Sequence, residues 1–197
     1  DSRAANPTAQ GMSLRALGGN ASSRALVTLD GVPMNDPFFG HVPFPALDPQ
    51  RIGTVRVRRG GGAGPFGAGA LAGVIELGSL TPQQAGSARA ALAINDRGES
   101  EASAGIAGAL GTGWAALDLR HDRGDGFWTT PAAERVAASV PARFSAWSGQ
   151  ARALVPLAPE VELQARLAAF DDRRTLRFAG ADSAASGQDA SLRLVAS

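Results

Sequence analysis

Cysteine and lysine are both absent from this chain of 197 residues. Without thiols there is no disulfide framework, no thiol nucleophile and no thiolate-built zinc site. Without lysine, all 19 basic residues are arginines, set against 18 acidic ones for a net charge of +1. They are spread along the chain rather than gathered in a run, so the footprint of a nucleic-acid partner is missing. Long apolar runs are missing too. Nothing approaches the roughly 20 residues that a membrane-spanning helix needs, and residues 1–30 lack the basic start and apolar stretch of a signal peptide. Spanning strands are not excluded, because each needs only about 9 to 11 alternating residues. His41 and His121 are the only histidines and lie far apart in sequence. No metal site, no cofactor and no catalytic residue are therefore expected, and the chain does not read as an enzyme.

What is present is small: 25 glycines and many alanines. The pattern divides near residue 80. Before it, short β-like runs at residues 25–29, 54–58 and 73–77 alternate with Gly, Pro, Asn and Asp turns, as in a loop-rich globule. Asp30 and Gly31 supply turn chemistry after the first run, with Gly31 in the left-handed position and Pro33 removing a donor. After residue 86 the segments are longer and alternate residues are apolar. In residues 160–171, Val161, Leu163, Ala165, Leu167 and Ala169 share one face while Glu162, Gln164 and Arg166 share the other. Residues 114–122 and 145–155 repeat the pattern, and residues 89–96, 101–110 and 191–196 carry it more weakly. Short links at 111–113 and 156–159 alternate with long polar ones at 123–143 and 172–189, with 95–100 a shorter member of the long set. Transmembrane barrels have this asymmetry, but a soluble β-sandwich or other β-rich binding module also has one apolar and one polar face.

Residues 62–67 (GAGPFG) match the dinucleotide fingerprint GxGxxG. The helix that fingerprint must open is missing, since only residues 68–71 precede the next strand-like run, and no acidic residue lies about 20 positions on. A turn between strands is the expected reading. Residues 35–44 crowd Asn35, Asp36, Phe38, Phe39, His41 and Phe44 into one loop. Three aromatics in a polar loop form either a small core of their own or a recognition surface.

Three blocks in fixed order carry a resemblance. Residues 11–20 (GMSLRALGGN) with 23–36 (SRALVTLDGVPMND), then 51–60 (RIGTVRVRRG), then 66–75 (FGAGALAGVI) resemble the plug domain of TonB-dependent outer-membrane receptors. The family's pattern has Gly where Ala16 and Ala72 stand and Asn where Glu76 stands. The resemblance implies a mainly β fold: a small α+β plug domain at residues 1–80 without its N-terminal part, followed at 81–197 by about six antiparallel strands of an incomplete transmembrane β-barrel, 22-stranded when whole. It implies energy-coupled uptake of a scarce nutrient across the outer membrane of a Gram-negative bacterium. A ferric siderophore is the expected substrate, ahead of cobalamin, haem or a saccharide. The implied partners are the TonB-ExbB-ExbD energy-transducing complex, outer-membrane lipid and the small-molecule nutrient. Asn35, Asp36, Phe38, Phe39, His41 and Phe44 would form the plug apex facing substrate. Arg15 and Arg59 would be plug arginines meeting carboxylates of the barrel wall, and Asp30, Gly31, Gly60, Gly67 and Gly73 would shape the turns.

Overall fold

A computed structural model describes residues 25–37, 40–60, 70 and 72–196. Arg15, Phe38, Phe39, Gly67 and the Gly62 loop lie outside the described residues, as do residues 11–24 of the first motif block. The chain divides into two units, Asp1–Gln84 and Ala85–Ser197.

In the first unit, the apolar run Ala25–Leu29 forms β1, every residue of it buried. Asp30 and Gly31 both take positive φ, 51° and 84°, the two-residue turn that matches strand twist and favours Asp-Gly. The turn delivers Val32–Pro33 as β2, antiparallel to the end of β1. The Asp30 carboxylate also accepts hydrogen bonds from the Ser79 backbone N–H at 2.8 Å and the Ser79 hydroxyl at 2.6 Å. β3 (Ile52–Arg59) and β4 (Gly73–Ser79) are antiparallel, with an irregularity between Ile52 and Thr54. Gly60 (φ 121°) and Gly73 (φ 140°) stand at the ends of that pair in backbone conformations that side chains rarely adopt. β4 runs parallel to β1, giving the sheet order β2-β1-β4-β3.

β1 and β4 are central in the sheet, and apolar side chains on both of their faces are buried. Val27, Leu29, Val42, Ile75 and Leu77 form one core cluster, and Leu26, Ala70 and Val74 form another. The one α-helix among the described residues is the single turn α1 (Pro82–Ala85). Thr81 and Gln84 close a reciprocal cap over it: Thr81 N–H donates to the Gln84 side chain at 2.9 Å, and Gln84 N–H to the Thr81 hydroxyl at 3.3 Å.

The second unit is one antiparallel six-stranded sheet in sequence order: β5 (Ala88–Ile94), β6 (Ser100–Leu110), β7 (Gly113–Gly124), β8 (Phe144–Ala158), β9 (Val161–Thr175) and β10 (Asp182–Ala196). Tight turns join β6 to β7 and β8 to β9, while residues 125–143 form the longest link. The expected long link at 172–189 is not there. β9 continues to Thr175 and β10 begins at Asp182, so only residues 176–181 connect them. The stretch was misread because Asp182 to Ala190 carries small and polar residues on both faces, so it lacks the apolar alternation by which strands are recognised. At the opposite end β8 runs past the expected turn to Ala158, with a bulge between Pro156 and Ala158.

Candidate functional site

Among the described residues, β2 pairs only with Thr28 and Leu29, so no strand among them covers the first half of β1 on that edge. Asn35 fills it. Its side-chain oxygen accepts the Val27 N–H at 2.7 Å, and its amide nitrogen donates to the carbonyls of Ala25 and Gly40, each at 3.1 Å. One side chain thus stands in for a strand and also closes the loop that follows it. Two backbone bonds complete the closure, Asp36 N–H to the His41 carbonyl at 2.7 Å and Gly40 N–H to the Asp36 carbonyl at 2.8 Å. Phe44 turns back onto the core cluster beside Met34 and Leu47. Of the loop residues singled out from the sequence, Asn35 and Phe44 therefore organise the loop, while Asp36 and His41 lie half-buried within it.

Arg59 ends β3 as an exposed residue opposite Gly73. Among the described residues of this unit the buried arginine is a different one, Arg51, enclosed with Asp48 at 3.3 Å. Asp48 also accepts the Gln50 N–H at 3.0 Å, which starts the short 3-10 turn that carries Arg51. In sequence, Asp48-Pro49-Gln50-Arg51 looks like an ordinary polar turn. The one available signal was the acid-base spacing of three residues, which is common on exposed surfaces too.

The second unit has its polarity reversed. Strand pairing aligns Ile106, Leu117, Ala151, Leu167 and Ala190 across one face, and the large members of this row are exposed. Leu119, Leu192 and Leu194 extend the exposed apolar face. The other face holds Ser103, Asp118, Ser148, Gln150, Arg166 and Asp172, all buried. Charges on that face pair both across strands, Arg89 with Asp118, Arg120 with Glu101 at 2.8 Å and Arg166 with Asp189 at 2.6 Å, and along one strand, Arg120 with Asp122 at 2.8 Å and Arg174 with Asp172 at 2.9 Å. The upper rows of the apolar face end in His121, Trp147 and Asp171, which are aligned with one another in register.

At the long-link end the loops are laced together. Val140 N–H bonds the Arg177 carbonyl at 3.0 Å, Ala179 N–H bonds the Ala138 carbonyl at 2.8 Å, and Ser139 bridges Phe178. Phe127 and Trp128 stand exposed here, with the Arg135 guanidinium 4.1 Å from the Trp128 ring centroid. This pair is not among the residues singled out from the sequence, where two adjacent aromatics in a polar loop are the one visible sign of it. Among the described residues, no three His, Cys, Asp or Glu side chains gather into a metal-binding group. Among them, too, no helix is long and apolar enough to cross a membrane, which has no bearing on strands.

Residues 2–74 match the family model described as TonB-dependent Receptor Plug Domain. No curated protein sequence matches the chain. Among solved structures, the chain is similar to the copper transporter OprC, with a TM-score of 0.68 and 21% identity over 89% of this chain and 27% of that one. It is also similar to the FrpB iron transporter from Neisseria meningitidis (F3-3 variant), with a TM-score of 0.61 and 13% identity over 77% of this chain and 24% of that one. The chain thus spans about a quarter of the length of each, and what they share with it is the fold.

Proposed function

We propose that the chain, whose residues 2–74 match the TonB-dependent receptor plug domain and whose fold is similar to solved transporters, is part of an energy-coupled outer-membrane transporter. One observation supports this more than any other: the six-stranded sheet exposes large leucines on one face and buries Asp118, Arg166 and Asp172 on the other. In water that arrangement leaves large apolar side chains unburied, whereas between lipid and a wet lumen each face meets the medium it suits. The dimensions agree. From Val161 to Asp171, β9 covers about ten residues; at ~3.3 Å per residue and a tilt of ~40° this gives about 25 Å, the height of an outer-membrane apolar band. Trp147 and His121 sit where that band ends, the level at which amphipathic rings favour the headgroup region.

In this reading the barrel closes with further strands to about 22, and a lumen of that width needs a plug. The cargo is a nutrient too large or scarce for open pores. A ferric siderophore stands first, supported by neighbours named for iron and copper, ahead of cobalamin, haem or a saccharide. The TonB-ExbB-ExbD complex supplies the energy. The loop of Asn35, Asp36, Phe38, Phe39, His41 and Phe44 faces the arriving substrate in this reading. Arg15 and Arg59 are assigned to carboxylates of the barrel wall.

Two experiments test the reading. The full-length protein should stay with the outer membrane through alkaline extraction, whereas a soluble β-rich binding module would be released. A deletion strain should lose growth on ferric siderophore as sole iron source, and wild-type uptake should stop when the proton-motive force is dissipated. Growth unaffected on iron but lost on cobalamin, haem or a saccharide would move the substrate and keep the mechanism.

A further inference from the structure

The exposed apolar face of the second unit changes character toward its long-link end. On β7 the residues of that face run Leu117, Leu119, His121, Arg123, and on β9 they run Leu167, Ala169, Asp171, Arg173. Between them, on β8, come Ala151, Gly149, Trp147 and Ser145. Register places Arg123 opposite Ser145 and Ser145 opposite Arg173, so the row beyond His121 and Trp147 holds two arginines with a small hydroxyl residue between them. At about 4.8 Å per strand the two arginine backbones stand roughly 10 Å apart, and Ser145 leaves the space between them open. A third arginine joins them. Arg143 lies two residues before Ser145, held to β9 by the Thr175 N–H, which donates to its carbonyl at 3.0 Å. Arg123, Arg143, Ser145 and Arg173 line one hollow of about 470 Å³.

The carboxylates nearby leave two of these charges unmet. Asp171 lies 2.9 Å from Arg173, whose side chain is still 75% exposed. Arg174, which also borders the hollow, is held by Asp172 at 2.9 Å. Asp182 accepts the Thr175 hydroxyl at 2.9 Å. The Asp125 carboxylate turns toward the link between β5 and β6, one oxygen lying 3.9 Å from where a side chain on Gly98 would begin. Arg123 and Arg143 are exposed, and their side chains make no hydrogen bond or ion pair among the described residues. Two free guanidinium groups, with a third that keeps spare donors, suit an oxyanion, since each fork offers parallel N–H donors to phosphate oxygens.

Which oxyanion reaches them follows from where they stand. The row is one pleat repeat, about 6–7 Å, beyond the row of Trp147, on the face that carries the exposed leucines. In the transporter reading this is the headgroup level of the leaflet on the long-loop side, where acyl chains hold phosphates in place against the sheet. We propose that Arg123, Arg143 and Arg173 form a binding site around Ser145 for the phosphate headgroup of a membrane lipid. The site rests on the transporter reading, because only a lipid-facing sheet brings headgroups to it.

Purified full-length protein in neutral detergent is mixed with phosphatidic acid, with diacylglycerol of the same acyl chains, or with inorganic phosphate, and retained lipid is counted by native mass spectrometry. Wild type should retain phosphatidic acid and not diacylglycerol. R123Q and R143Q should each lower the apparent affinity for phosphatidic acid about tenfold, through loss of a charge-assisted hydrogen bond. R193Q removes the same charge from the opposite face and should bind as wild type does. Thermal midpoints without lipid should match wild type for R123Q and R143Q, which separates lost binding from lost folding. Unchanged affinity in R123Q and R143Q, or an equal fall in R193Q, would reduce the attraction to overall charge and overturn the site. Inorganic phosphate that displaces phosphatidic acid at comparable concentration would make the ligand free phosphate and overturn the lipid assignment. Alkaline extraction is read on the same protein. Release from the membrane would undo the transporter reading itself, whereas a protein retained in the membrane but indifferent to phosphatidic acid would lose only this site.

Discussion

Leu29 in β1 and Leu167 in β9 are the same residue type in the same kind of structure, yet Leu29 is 4% exposed and Leu167 62%. The first unit puts its apolar side chains inside, on both faces of a central strand pair, and leaves arginines such as Arg56, Arg58 and Arg59 on the outer strand β3. The second unit puts Asp172 and Ser148 inside and leucines outside. The contrast teaches that alternation marks a strand with two unlike faces without saying which medium each face meets. What separates the two units is which set is buried: charges are enclosed only where they can pair, and in this sheet Arg166 pairs with Asp189 across strands and Asp172 with Arg174 along one.

The sharpest way to break the contrast is to place a charge at the centre of each unit. Val27→Asp puts an unpartnered carboxylate into the cluster of Leu29, Val42, Ile75 and Leu77 and should cost more than about 4 kcal/mol, enough to unfold the first unit. Hydrogen exchange should then lose the protection of β1 and β4 amides while those of β7 to β9 keep theirs. Equal loss in both units would mean that they do not fold separately. Next is Asp48→Ala, which removes the carboxylate enclosed with the buried Arg51 and should cost about 3–5 kcal/mol by the same readout. A mild effect there would show that Arg51 is held by other partners or by water.

Leu167→Arg tests the reversed unit. At mid-height of a lipid-facing band it should cost about 2–4 kcal/mol, falling to about 0–1 near the interface, as Leu194→Arg would sample. The measurement is the denaturant midpoint of full-length protein refolded into lipid vesicles. In a water-soluble sheet, Leu167→Arg would instead lie within about 0.5 kcal/mol of wild type, and that result would collapse the contrast between the units. Smallest is Asn35→Ala, which removes three hydrogen bonds around the first half of β1 and should cost about 1–3 kcal/mol. Its effect on hydrogen exchange should be confined to residues 25–27 and 35–41. Transport altered with stability unchanged would instead make Asn35 a substrate contact.

Much of the fold was legible in the chain. Asp30-Gly31 announced its turn because only a few residue types accept two successive positive φ angles, and β7, β8 and β9 announced themselves by alternation. The first half of β10 was invisible because neither of its faces is apolar. The candidate site was less legible than the strands. Asn35 and Phe44 could be picked out by type, yet nothing local tells a residue that holds a loop from one that faces a ligand. Arg51 went unnoticed because its burial comes from chain folded over it, and the row containing Arg123 and Arg173 exists only once register is set, since one residue of slip would move every side chain to the other face.

The amino-acid order by itself determined local matters: where strands begin, which turns are tight, which residues share a strand face, and the ordered motif blocks by which the first unit is identified. These depend on backbone sterics and on neighbours within a few positions. Tertiary structure alone decided which arginine is buried, which loops lace together and which face of the six-stranded sheet is enclosed. Those outcomes depend on residues far apart in sequence being brought side by side, and the energy of a charge or a leucine is set by the medium it then meets.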